Sequence, residues 1–249
     1  METRRTQNRR EEDCRRSLKE GEAHLWFVSL ALVSDKISDF KSLLSADEQE
    51  RADRFRAVQD ADRYVAARGW LRTLLGSYLS IEPHRLQFSY DSFGKPHLSD
   101  NAPSMSFSVS HCDDWGLFGF THQHRIGVDL ERVREGINVE DLAQRFFSAN
   151  ELRKLRSLAL PQQREAFYRA WTRKEAYLKA RGEGLSFGLD RVEVSLAPDE
   201  PAMILSAADD AGISQRWAVQ HLLPRPGYVG AATVEARSIE FKYFELEQA

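Results

Sequence analysis

The sequence predicts an α+β protein, and three observations carry that prediction. Residues 45–79 place Phe55, Val58, Tyr64, Ala67, Leu71, Leu74 and Leu75 at mostly helical spacing, behind a Ser45/Glu48 capping box. Residues 164–181 are helix formers that stop at Gly182 and Gly184, where a helix end is expected. Elsewhere, short stretches alternate apolar and polar residues, the pattern of half-buried strands.

Taken in order, residues 1–21 are polar and arginine-rich. Residues 1–19 carry seven basic and four acidic side chains, and the segment reads as a disordered arm. An apolar run follows at 24–33. Glu20 and Glu22 directly precede it and no small-residue cleavage site follows. It therefore reads as a strand over 25–31 rather than a signal peptide, and it is too short to span a bilayer. The helical stretch 45–79 has Gly76 as a break. Residues 86–90 alternate as a strand before the turn residues Asp91-Ser92-Phe93-Gly94-Lys95-Pro96. A strand over 105–109 ends at Ser110-His111. Residues 116–121 and 125–131 form a hairpin across His122-Gln123-His124. Residues 138–159 are helical, capped by Asn138 and broken near Ser148, and Pro161-Gln162-Gln163 connects to the helix at 164–181. Strands are expected at 192–196, 203–205, 217–222 and 228–234, with a turn at Pro224-Arg225-Pro226-Gly227. No strong internal repeat is evident.

The 249 residues, 42% of them hydrophobic, suffice for one large domain or two small ones. A net charge of −3 gives no global reason to bind nucleic acid. The two cysteines, Cys14 and Cys112, make no disulfide framework and fit a reducing cytosol. Cys112 and His111 are adjacent on a strand, so their side chains diverge, which argues against a Cys–His nucleophile.

Two stretches carry chemistry. On the helix, Trp171, Glu175 and Lys179 are four apart and share a face, beside an apolar stripe of Phe167, Ala170, Trp171 and Leu178. On the strand, Gly127, Asp129 and Glu131 point one way, and Val128 and Leu130 the other. Two carboxylates a pleat apart repel unless a cation lies between them. A hard cation such as Mg²⁺, completed by water and substrate phosphate, is the usual solution. Gly127 is expected to leave open space on that face. The plainer readings are a surface Glu–Lys pair and an exposed edge strand. His111, Asp113 and Asp114 could also ligate a metal, but no second His or Cys cluster supports zinc.

Gly127-Val128-Asp129-Leu130-Glu131 followed by Trp171-Thr172-Arg173-Lys174-Glu175-Ala176-Tyr177-Leu178-Lys179 resembles the paired signature of the 4′-phosphopantetheinyl transferases, of the larger two-halved (surfactin-synthetase-activating) type. Three further pieces match in order: Phe93-Gly94-Lys95-Pro96, Phe107-Ser108-Val109-Ser110-His111 and Arg145-Phe146-Phe147-Ser148. The resemblance spans about residues 24 to 235, and five pieces in the right order are specific where any one is weak.

The resemblance implies two similar pseudo-symmetric halves, each a small sheet packed with helices, with the active site between them. The halves would be 22–122, on the side of the coenzyme A 3′-phosphate, and 123–249, carrying the metal and the catalytic helix. It implies a Mg²⁺-dependent enzyme that moves phosphopantetheine from coenzyme A to a serine of an apo acyl or peptidyl carrier protein and releases adenosine 3′,5′-bisphosphate. Asp129, Glu131 and Glu175 would hold the metal. Lys179, His111 and Ser110 would meet phosphate, and Arg63, Lys95 and Arg51 the 3′-phosphate. Glu175 would be the base, directly or through a metal-bound water. A cytoplasmic monomer is expected, without nucleic-acid or membrane partners. An acidic carrier would dock on Arg132, Arg134, Arg145 and Arg153 beside Ile137, Val139, Leu142, Phe146 and Phe147, with Phe147 or its neighbours Ile137 and Arg134 at the surface. Two other classes stay open: a Mg²⁺-dependent nucleotide phosphohydrolase using the same acids, and a non-enzymatic carrier-binding protein.

Overall fold

In the computed structural model, which describes residues 17–99, 105–182, 187–208 and 212–246, β1 (Glu22–Ser29) is buried at every residue but the last. It is a central strand covered on both faces. Its Trp26 and Val28 pack with Leu71, Leu74 and Leu75 of a long helix. Its Leu25 and Phe27 pack with Ile126, Val128 and Leu130 of the second sheet.

The chain uses one plan twice. In the first half, β1 is followed by α1 (Ser34–Leu43), α2 (Ala46–Asp53) and α3 (Val58–Leu79). Then come the hairpin β2 (Phe88–Tyr90) and β3 (Pro96–Leu98) and the strands β4 (Met105–Cys112) and β5 (Trp115–His122). In the second half, β6 (Ile126–Arg132) is followed by α4 (Val139–Phe146), α5 (Ala149–Ser157) and α6 (Leu160–Arg181). Then come the hairpin β7 (Val192–Val194) and β8 (Ile204–Ala207) and the strands β9 (Ala218–Leu222) and β10 (Tyr228–Val234). The strand orders correspond: β1-β5-β4 and β6-β10-β9, all antiparallel. A last strand, β11 (Glu240–Leu246), returns to the first sheet and pairs parallel with the outer edge of β1. The division at residue 122 therefore does not run cleanly through the sheets.

The two halves also share a buried electrostatic device. Ser45 and Ser148 each open a capping box, closed by Glu48 and Glu151. Glu48 pairs with Arg68 and, at 2.7 Å, with Arg72. Glu151 pairs with Lys174 at 2.5 Å, both side chains essentially without solvent contact. Lys174 spends its other protons on the carbonyls of Leu189 and Val192, at 2.8 and 2.7 Å. A buried ion pair survives only when its partners are satisfied in this way. The repeat that sequence reading missed is therefore present: Leu44-Ser45-Ala46-Asp47-Glu48 against Phe147-Ser148-Ala149-Asn150-Glu151. It is short, and its meaning lies in a cation more than 20 residues downstream.

Other expectations are corrected. The stretch 45–79 is two helices, α2 and α3, and α1 precedes them unpredicted. Gly76 is inside α3, which ends at Ser80 in a left-handed conformation (φ 55°). Pro161 lies in the first turn of α6, where its missing N–H is no loss. Phe147 is buried and stacked on Phe167. The helical count that put it outside the apolar stripe fails because α4 stops at Phe146. Phe147 is the extended C-cap (φ −100°, ψ 153°), which turns its ring inward. Ile137, Val139, Leu142 and Phe146 pack against the same core, while Arg134 is exposed. The arm at 1–16 and Gly184 lie outside the described residues; Leu18, expected in the arm, is buried in the first core.

Candidate active site

The site is built where β4 meets β6. These strands belong to different sheets, and two serine side chains join them. Ser108 Oγ accepts from the Val128 N–H (3.1 Å), and Ser110 Oγ accepts from the Leu130 N–H (3.3 Å). Ser110 also donates to Asp129 Oδ1 (3.0 Å) and accepts from Lys179 Nζ (3.1 Å). One donor and two acceptors exhaust a hydroxyl.

Helix α6 brings its side chains here because Gly127 lets it. A Cβ on Gly127 would stand 1.9 Å from the Ala176 carbonyl oxygen and 2.4 Å from the Ala180 nitrogen. The open space expected at Gly127 is thus filled by helix backbone. The contact lays Glu175 and Lys179 over Asp129 and Glu131. Lys179 pairs with Asp129 Oδ1 at 2.6 Å. The other oxygen, Asp129 Oδ2, is buried with no partner among the described residues.

The electrostatics follow from this crowding. Burial, then the charges of Asp129 and Glu175, push Glu131 up to about 7, against the pull of Lys179. Burial and the Asp129 charge raise Glu175 as well. The protein around His111, together with Lys179 and Arg63, holds its imidazole below the ordinary value. Among the described residues no three His, Cys, Asp or Glu side chains stand ready around a common metal position. The donor set nevertheless fits a hard cation, with hard oxygens, two carboxylates made reluctant to ionise by burial and then by a third, and one buried oxygen without a partner among the described residues.

The sequence-predicted residues divide into groups. Ser110, His111, Asp129, Glu131, Glu175 and Lys179 come together. Arg63 joins from α3, held by Asp114 at 2.8 Å and within 3.6 Å of Asp60. Arg51 lies over the Tyr64 ring at the neighbouring position. Lys95 is elsewhere. Its amine donates to the Lys179 carbonyl (2.5 Å) and reaches toward the Ile126 carbonyl (3.5 Å). Burial lowers it to about 8. Among the described residues it shares no hydrogen-bond or ion-pair partner with Arg63, and it sits where a cation favours the C-terminal end of α6. Lys95 and Lys179 line a cavity of about 260 Å³ with Phe93, Phe107, Ser108 and Leu178. Asp113 and Asp114 hold arginines rather than metal: Asp113 takes Arg132 (3.1 Å) and Arg134 (3.3 Å). Ser108 was not predicted as a site residue. The signal was its two-residue spacing from Ser110, matching that of Val128 and Leu130.

Comparison with known proteins agrees with this geometry. Residues 125–233 match the model of the 4′-phosphopantetheinyl transferase superfamily, and residues 33–119 that of the 4′-phosphopantetheinyl transferase N-terminal region. The chain is 38% identical over 220 residues to 4′-phosphopantetheinyl transferase HetI of Nostoc sp., covering 88% of this chain and 90% of that one. The chain belongs to the 4′-phosphopantetheinyl transferase superfamily. It is also 31% identical over 173 residues to 4′-phosphopantetheinyl transferase Sfp of Bacillus subtilis, covering 70% of this chain and 75% of that one. This transferase carries both halves matched by the family models, and its β4–β6 seam lies where they join. No helix among its described residues is long and apolar enough to cross a membrane.

Proposed function

We propose that this transferase moves phosphopantetheine from coenzyme A to a carrier-protein serine with the groups gathered at the β4–β6 seam. The convergence of Lys179, Ser110 and Asp129 with Glu131, Glu175, His111 and Arg63 carries the reading. The serine hydroxyl attacks the phosphorus on the pantetheine side of the pyrophosphate. A new P–O bond forms, the bridging P–O bond breaks, and adenosine 3′,5′-bisphosphate leaves. Glu175 takes the serine proton, directly or through a water. Lys179 and the neutral His111 donate hydrogen bonds to phosphate oxygens. Arg63 holds the 3′-phosphate, and Arg51, over the ring of Tyr64 beside it in sequence, assists.

Mg²⁺ held by Asp129, Glu131 and Glu175 would neutralise pyrophosphate charge as it develops. Lys179, paired with Asp129 in this structure, would turn to phosphate with the metal in place. Lys95 serves differently from Arg63, by holding the end of α6 against β6 at the wall of the cavity. Carrier docking is assigned to the surface around the exposed Arg134. The test is mass spectrometry of apo acyl and peptidyl carriers incubated with coenzyme A and Mg²⁺. A gain of about 340 Da on the serine is expected, the mass of the added arm. Free phosphopantetheine with an unmodified carrier would instead indicate a hydrolase.

A further inference from the structure

The seam between the halves holds a residue with no role in the chemistry above. Val128 and Leu130 are buried. Their N–H groups point away from β10, toward β4. In an ordinary parallel pair they would bond directly to backbone carbonyls of a strand about 4.8 Å away. Here they bond to Ser108 and Ser110 hydroxyls, and each step of 20 residues is the same. The strands therefore run parallel with a hydroxyl between them, and the seam is wider than a ladder. Ser110 is committed to Asp129 and Lys179 as well. Ser108, buried and one side-chain repeat earlier on β4, bonds to Val128 and, among the described residues, to no charged group.

We propose that Ser108 is a positioning residue: its hydroxyl sets the spacing between the halves, and so the placement of Asp129 and Lys179 relative to His111 and Arg63. His111 and Arg63 belong to the first half, and Asp129 and Lys179 to the second. The position next to Val128 on β6 is Asp129. A shift of β6 along or away from β4 therefore moves the acid directly. Val128 is fully buried, so loss of the hydroxyl takes away the partner its N–H has here and disfavours the present position of the strand. Reaction geometry is sensitive to displacements of about 1 Å.

The inference rests on the transfer reaction proposed above. The experiment compares wild type with Ser108→Ala, Ser108→Thr and Ser108→Val in transfer of phosphopantetheine to an apo carrier, with melting curves for each. Thr keeps the hydroxyl, Val has the same shape without it, and both suit a strand. Ser108→Ala and Ser108→Val are expected to lose at least 10-fold in kcat with the KM for coenzyme A within twofold of wild type. Ser108→Thr is expected to stay within threefold in kcat. A raised KM with unchanged kcat would make Ser108 a ligand contact and overturn the proposal. Equal kcat in wild type and Ser108→Ala would also overturn it, as would failure of Ser108→Ala to fold, which would make the bond purely structural. No transfer by wild type refutes the reaction assignment instead.

Discussion

Replacing Gly127 by alanine tests the geometry that assembles the site. The added Cβ would lie 1.9 Å from the Ala176 carbonyl oxygen and 2.4 Å from the Ala180 nitrogen. A carbon meets a carbonyl oxygen comfortably at about 3.3–3.6 Å, so α6 must retreat by roughly 1.5 Å. Both obstacles are helix backbone, and no side chain can rotate away. The retreat lifts Glu175 and Lys179 from Asp129 and opens the core beneath the helix. Overpacking of this kind costs about 3 kcal/mol or more, roughly 6–12 °C in Tm for a chain of this size. A misplacement beyond 1 Å lowers kcat by on the order of 10²-fold. Carrier modification followed by mass spectrometry, with calorimetry on the same samples, measures both. Gly136→Ala is the control, because nothing lies within 4 Å of its Cβ. A Gly127→Ala enzyme with wild-type Tm and kcat would refute the reasoning.

Three further outcomes are expected. Asp129→Ala removes the acid that Ser110 and Lys179 share, and kcat should fall by about 10²-fold or more with the fold retained; near-normal Mg²⁺-dependent turnover would remove Asp129 from the site. Arg63→Ala should weaken coenzyme A by about 10- to 100-fold, as for loss of a charge-assisted hydrogen bond, and its 3′-dephospho analogue far less; equal weakening in paired titrations would show another contact. Both His221 nitrogens are buried without a partner among the described residues, and burial, then Arg169 and Arg173, lowers the ring from 6.5 to about 4. The unfolded chain then binds the proton first, so stability present above pH 6.5 is lost as pH falls toward 4, by about 3 kcal/mol. Urea unfolding of His221→Phe across that window should show a flatter acid limb, and an unchanged slope would contradict the assignment.

Much of the site was legible because its parts are local. Asp129 and Glu131 share a face through the two-residue repeat of a strand, and Glu175 and Lys179 through the turn of a helix. The five motif pieces then implied which faces meet. The misses share another cause. Phe147 was misplaced because helical spacing holds only while the helix lasts, and α4 stops one residue earlier. The resting place of the Lys95 amine was equally out of reach of local pattern, since it lies on backbone carbonyls contributed by two other elements.

By itself the sequence determined the faces of the metal strand and the catalytic helix, the Ser45/Glu48 capping box and the residue types that can hold a pyrophosphate. Those follow from interactions within a few residues of chain. Only the tertiary structure decided that Gly127 is a seat for helix backbone and that β11 closes the first sheet. It alone decided that Glu48 and Glu151 neutralise buried cations, and that Ser108 stands in for a backbone ladder. Each of these depends on groups distant in sequence meeting at van der Waals or hydrogen-bond distance, which no local periodicity encodes.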